Sequence, residues 1–253
     1  MANITGRSRG KEQRHQEILV DRISQRYERA IAREISRAMN EAAKYVGEPS
    51  RLPEVRLNHA ENMLKILTRL WTQSGQAASA NLFRIAKSLG RMETKFVDIT
   101  TPIVDAAIAQ WIRAFGGEKI TQITATTMAD INAIVANGIQ EGLSEREIGK
   151  AINLIAPTKS ALRSQTIART ESHSSSQGIS LSVAGESEIP MVKVWLASGG
   201  ERTREAHNDA NGQTVSLASP FIVDGEELDF PGDPNGSAEN IINCRCAVGY
   251  EVA

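Results

Sequence analysis

The sequence predicts an α+β protein: a long-helix-rich amino-terminal region, then a small α+β module with short antiparallel strands. Three observations carry this expectation. No Pro or Gly interrupts residues 11–46, and apolar residues recur there at steps of three or four. Helical periodicity then returns repeatedly as far as Gly185. Beyond that point Gly and Pro become frequent and turns come every few residues.

In the first helix Leu19, Ile23, Tyr27, Ile31, Ile35, Met39, Ala42 and Val46 form one apolar stripe, with Arg and Glu between them. Gly47-Glu48-Pro49-Ser50-Arg51-Leu52-Pro53 breaks it. Met63, Ile66, Leu67, Leu70 and Trp71 define a second helix, which continues to Leu89 before Gly90 stops it. A third spans 102–115, with Pro102 suited to a first helical turn and Gly116-Gly117 closing it. Ile120, Ile123, Met128, Ile131, Ile134 and Ile139 describe another helix or pair that ends near Gly142.

Ser144-Glu145-Arg146-Glu147 has the form of a capping box, in which Ser and Glu each satisfy the other's free backbone N–H. A short helix over 145–154 follows, Pro157 ends that run, and 159–183 is one more helix. A boundary falls at 187–190. Strands are predicted at 192–196, 214–217, 221–223 and 247–251, with a short helix at 203–210 and a tight turn at Asp224-Gly225.

The composition is that of an ordinary globular protein: 253 residues, 41% apolar, 29 Lys and Arg against 30 Asp and Glu, and two Cys. It excludes a collagen, a mucin and a disulfide-knotted toxin. No window approaches ~18 consecutive apolar residues, so no membrane span is expected. The start, Met1 to Arg7, has no apolar core before a small-residue cleavage site, so synthesis in the cytoplasm is expected. Charge is uneven: residues 1–56 carry 12 bases against 8 acids, and 199–253 carry 3 against 10. A basic amino-terminal arm can touch phosphates or an acidic protein surface, or be only a solvated helix face. The acidic module is poorly suited to gripping a nucleic-acid backbone.

The carboxy-terminal segment concentrates His207, Asp209, Cys244 and Cys246 with Arg202, Arg204, Asp229, Asp233 and Asn243. Cys244-Arg245-Cys246 on an extended segment turns both thiols to one face, where His207 from a neighbouring helix can join them. Zinc is the natural guest, with Asp209, Asp233 or water as fourth ligand. Alternatively the cysteines pack as small buried residues under a turn. A third reading makes His207 a general base or metal ligand and a cysteine the nucleophile of a metal-dependent hydrolase, a nuclease or a maturation peptidase. Arg202 and Arg204 can pair with the acidic loop 229–234. Arg169 and Glu171, two apart on a helix, must look to different partners, either in the module or in solvent. His15, His59, His173 and Ser172, Ser174, Ser175 and Ser176 read as surface. No Walker loop, Gly-x-Gly-x-x-Gly, Gly-x-Ser-x-Gly or His-Glu-x-x-His is present.

The order of these pieces carries a resemblance: Ile167-Ala168-Arg169-Thr170-Glu171, Val194-Trp195-Leu196, Arg202-Thr203-Arg204-Glu205-Ala206-His207, Gly212-Gln213, Phe221, Pro231-Gly232-Asp233-Pro234, Ala238-Glu239 and Asn243-Cys244-Arg245-Cys246. Over about residues 125–250 the chain resembles the phage Mu protein F-like family of minor head, or head-morphogenesis, proteins of tailed bacteriophages. The family often has an Asp-x-Arg-Thr-Arg form, where this chain has Gly200-Glu201 ahead of Arg202. The resemblance implies a helical, partner-docking region over 1–118 and a head-morphogenesis domain over 119–253, helical over 119–185 with the α+β module at 186–253. It implies a virion protein of the capsid interior near the portal vertex, binding portal and coat or scaffolding protein, with DNA a further partner through the basic arm. Its role would be head assembly, packaging or ejection, without catalysis, although some relatives are fused to toxin-like or ADP-ribosyltransferase domains. Arg169, Glu171, Trp195, Arg202, Arg204, His207, Pro231, Asp233 and Asn243 are its motif residues here.

Overall fold

The computed structural model of the protein describes residues 6–88 and 97–252. In chain order the elements are α1 Gly6–Ala42, α2 Leu52–Ser88, α3 Val97–Gln140, α4 Glu145–Glu186, β1 Met191–Leu196, α5 Glu205–Asp209, β2 Thr214–Ser216, β3 Phe221–Val223, β4 Glu226–Leu228, α6 Ala238–Ile241 and β5 Ala247–Val252. Long helices are thus followed by short antiparallel strands, as predicted. The stop expected at Leu89 and Gly90 lies outside the described residues.

The helices are longer and fewer than the sequence punctuation implies. Pro102 and Gly116-Gly117 sit inside α3, and Pro157 sits inside α4. In isolation each helical Gly costs about 1 kcal/mol and each Pro about 3. Burial outweighs this. Ile108 and Trp111 precede the glycine pair and Ile120 and Ile123 follow it, all buried. Ile148, Ile152 and Ala156 are buried before Pro157, as are Ser160, Ser164 and Ala168 after it. A fully buried aliphatic side chain contributes roughly 1.5–3 kcal/mol, so two or three exceed one breaker.

Where helices do end, local chemistry ends them. After α3, Gly142 takes φ +71°. Its N–H donates to Ile139 O at 3.1 Å, and Leu143 N–H donates to Gly138 O at 2.9 Å, closing the paired bonds of a Schellman cap. The capping box then opens α4: Ser144 N–H donates to Glu147 Oε2 at 2.8 Å and Glu147 N–H to Ser144 Oγ at 3.4 Å.

The chain forms two compact units, whose boundaries fall within α1, α2, α3 and α4. One comprises residues 25–69 and 114–168. Its core holds Ile31, Ile35, Met39, Val55, Met63, Leu67, Ile131 and Ile152. Against the expectation of exposure, His59 is fully buried there, with Nδ1 3.0 Å from Glu34 Oε1 and Nε2 3.2 Å from Thr127 Oγ1. Its mostly polar neighbours in sequence, Asn58, Glu61 and Asn62, gave no sign of a buried polar pair 25 residues apart.

The other unit comprises residues 1–24, 70–113 and 169–253. Its sheet has the order β2-β1-β5, antiparallel throughout, with Trp195 opposite Val248. β3 and β4 form a separate hairpin closed by Asp224 and Gly225 at φ +53° and +75°, the two-residue turn whose twist suits paired strands. β4 was not anticipated, because Glu226-Glu227-Leu228 lacks the β-branched residues that mark strands.

β5 is an edge strand, yet its outward backbone groups are not left bare. Gln177 Oε1 accepts from Val248 N–H at 2.8 Å, and Gln16 Nε2 donates to Val248 O at 2.9 Å. Gln13 Nε2 donates to Arg245 O at 2.9 Å, just before the strand. Amides from α1 and α4 therefore replace the missing neighbour strand. Arg9 pairs with Glu251 at 2.6 Å and Glu17 with Arg245 at 2.9 Å, so two ion pairs of opposite sense tie α1 to β5 and its approach.

Candidate metal centre

The short helix α5 lays His207 beneath β1, where Trp195 meets it edge-on with ring centroids 5.5 Å apart. Trp195 in turn packs at 5.4 Å on Phe221. The chain leaves α6 through Asn243, which takes φ +57°, a conformation Asn tolerates better than most residues, and so turns Cys244 and Cys246 back under the sheet. His207 Nδ1 lies 3.6 Å from Cys244 Sγ and 3.4 Å from Cys246 Sγ. One donor atom from each of the three residues falls within 4.8 Å of the others. All three are essentially closed to solvent, at 1–2% exposure, and neither thiol is in a disulfide.

Asn240 completes the arrangement, a residue that sequence reasoning passed over. Its Oδ1 lies 3.1 Å from His207 Nε2. With Nε2–H donating to Asn240, the lone pair of Nδ1 is directed at the sulfurs. The sole signal for it was its place four residues before Cys244. The thiols share their site unequally. Cys244 is pushed well up by its hydrogen bond to Cys246 and by burial. Cys246 is held down at about 5 by that same bond, against burial, with help from His207.

The other predicted site residues lie elsewhere. Arg204 is the nearest: its Nη2 donates to Ile242 O at 2.8 Å, tying α5 to the segment that carries the cysteines. Arg202 is exposed in the turn before α5. The expected pairing of acidic loop and arginines is replaced by internal bonding. Asp233 accepts from Asp229 N–H at 2.8 Å and Asn235 N–H at 2.9 Å, and burial raises its pKa. Buried Lys193 donates to Asp229 O at 2.7 Å and lies 5.1 Å over the Phe221 ring. Asp209 is exposed, so neither proposed carboxylate joins the cluster.

Arg169 and Glu171 do look to different partners. Arg169 Nη2 lies 3.3 Å from Asp21 Oδ1 in α1, and buried Glu171 accepts from Trp71 Nε1 at 3.0 Å. The intervening Thr170 is the one that reaches the motif, accepting from Asn243 N–H at 3.3 Å. The stretch read as surface is a buried seat: Ser172, His173, Ser174, Ser175 and Ser176 are all enclosed. Ser174 Oγ donates to Gly232 O at 2.6 Å, and His173, hydrogen-bonded to the Pro231 backbone, is lowered by burial to about 4. Small hydroxyls that bond to backbone carbonyls can be buried cheaply and let the loop 229–234 approach α4 closely. The four serines around His173 were the available signal.

Residues 129–249 match the family described as Phage Mu protein F like protein, a match that begins in α3 and closes within β5. The match covers just under half of the chain, and this segment is similar to the Mu F-like family. It is a family of structural phage head proteins, and the segment contains the whole His207, Cys244 and Cys246 cluster with Asn240. The chain is also similar to the "Uncharacterized protein YqbB" of Bacillus subtilis, 26% identical over 142 residues, 54% of this chain and 46% of that protein. It is similar to "NAD(+)-arginine ADP-ribosyltransferase EFV" of Enterococcus faecalis, 34% identical over 116 residues, 44% of this chain and 23% of that protein. The chain thus spans less than half the length of these relatives. No solved structure matches it. Among the described residues no helix is long and apolar enough to cross a membrane.

Proposed function

We propose that the protein is a minor head protein of a tailed bacteriophage, held inside the capsid near the portal vertex, that binds portal and coat or scaffolding protein during head assembly, packaging or ejection. The observation that carries this reading is the Mu F-like match over residues 129–249. Unit 25–69 with 114–168 supports a docking role, because it leaves large apolar side chains in solvent: Leu154 is 83% exposed, Ile139 66% and Leu162 65%. A partner that covered them would gain their burial, roughly 1.5–3 kcal/mol for each side chain fully enclosed. Arg9 of the arm is engaged by Glu251 within the chain.

A hydrolase built on His207, Cys244 and Cys246 is the weaker alternative, since a nucleophile must meet its substrate and these sulfurs are buried. The segment shared with the ADP-ribosyltransferase is under a quarter of that enzyme, and in our reading it is the head-protein part. An in-frame deletion of the gene in the encoding phage tests the proposal. Heads that form but fail to fill with DNA or to deliver it are expected; particles of normal number and infectivity would overturn it.

A further inference from the structure

The arrangement around His207 goes beyond an assembly role. We infer that His207 Nδ1, Cys244 Sγ and Cys246 Sγ bind a zinc ion that fastens α5 to the segment between α6 and β5. The donor types are those zinc takes, and the spacing fits it. Zn–S bonds of ~2.3 Å and a Zn–N bond of ~2.1 Å at a tetrahedral angle set sulfur and nitrogen roughly 3.6 Å apart. The two separations found are 3.6 and 3.4 Å.

Orientation points the same way. A zinc-bound imidazole donates its second N–H to a fixed acceptor, which sets ring angle and tautomer. Asn240 Oδ1, buried and 3.1 Å from His207 Nε2, holds that place. The edge-on Trp195 ring blocks rotation of the imidazole. A packing role for the cysteines explains neither the amide behind the ring nor a nitrogen aimed at both sulfurs. Among the described residues no further His, Cys, Asp or Glu joins the three, so the fourth position would fall to one small ligand such as an enclosed water. The burial of all three ligands makes the site a structural fastening.

The test uses the full chain, reduced and stripped of metal, titrated with cobalt(II) and then with zinc. Expected are one equivalent bound, thiolate-to-cobalt charge-transfer and tetrahedral d–d bands, their loss on adding zinc, and a higher Tm with zinc than without. Asn240→Leu keeps all three ligands, and should bind zinc about 10–100-fold more weakly with an unchanged circular dichroism spectrum. The double variant Cys244→Ser/Cys246→Ser should give no charge-transfer band. A reduced, folded wild-type chain that shows no such band and no zinc-dependent change in Tm overturns the inference. That result would leave the head-protein reading standing, since it rests on the gene deletion.

Discussion

Trp71 and Glu171 show how a single polar contact can be placed deep in a helical core. The indole Nε1 donates to a carboxylate that is itself 4% exposed. Trp71→Phe keeps most of the ring but deletes the donor, and should cost about 1.5–3 kcal/mol in urea unfolding, as expected for a bond to a charged group. Glu34 makes a different prediction. Burial alone would raise its pKa, but the hydrogen bonds from His59 and Arg37 outweigh that and hold it below 4.5. The folded state therefore binds this proton less readily than the unfolded chain does. Its contribution is fully present above about pH 4.5 and is lost as pH falls through the lowered value. Glu34→Gln should flatten that acid limb of the pH–stability curve; an unaltered limb would show that the pair does not carry it.

At the scale of elements, α4 and β5 depend on one another. Gln177→Ala leaves the buried Val248 N–H without its acceptor, at a cost of about 1–3 kcal/mol, and should raise amide hydrogen exchange along β5 before other strands. One turn of that contact also needs a glycine. A Cβ at Gly178 would fall on the Trp111 and Phe230 rings, so Gly178→Val should destabilise by about 1–3 kcal/mol or more in thermal melting. Much of this scale was legible in sequence. The stripe of α1, the Ser144 to Glu147 box, the turn at Asp224-Gly225 and the main strands follow from period and turn chemistry that act within a few residues. What was not legible depends on distant partners. Pro102, Gly116-Gly117 and Pro157 stay helical because buried neighbours outweigh local cost, and His59, Lys193 and the run Ser172 to Ser176 are enclosed by groups far along the chain. The cluster of His207, Cys244 and Cys246 could be suspected from residue type, but Asn240 could be placed only by the fold.

For the whole molecule, the two ends of the chain meet: Arg9, Gln13, Gln16 and Glu17 of α1 hold the last strand and its approach. A piece containing only residues 186–253 lacks these groups and the seat on α4. It should show little amide protection when expressed alone, whereas a well-dispersed, protected spectrum would contradict this dependence. Arg9 is thus engaged within the chain, while Leu154, Ile139 and Leu162 remain exposed. The central claim, that this is a minor structural component of a phage head, is tested most directly by quantitative mass spectrometry of purified particles of the phage that encodes it. The account predicts this chain in mature particles or procapsids, at a small fraction of the coat protein. Its absence from both, with the chain abundant in the infected cell, would contradict the account.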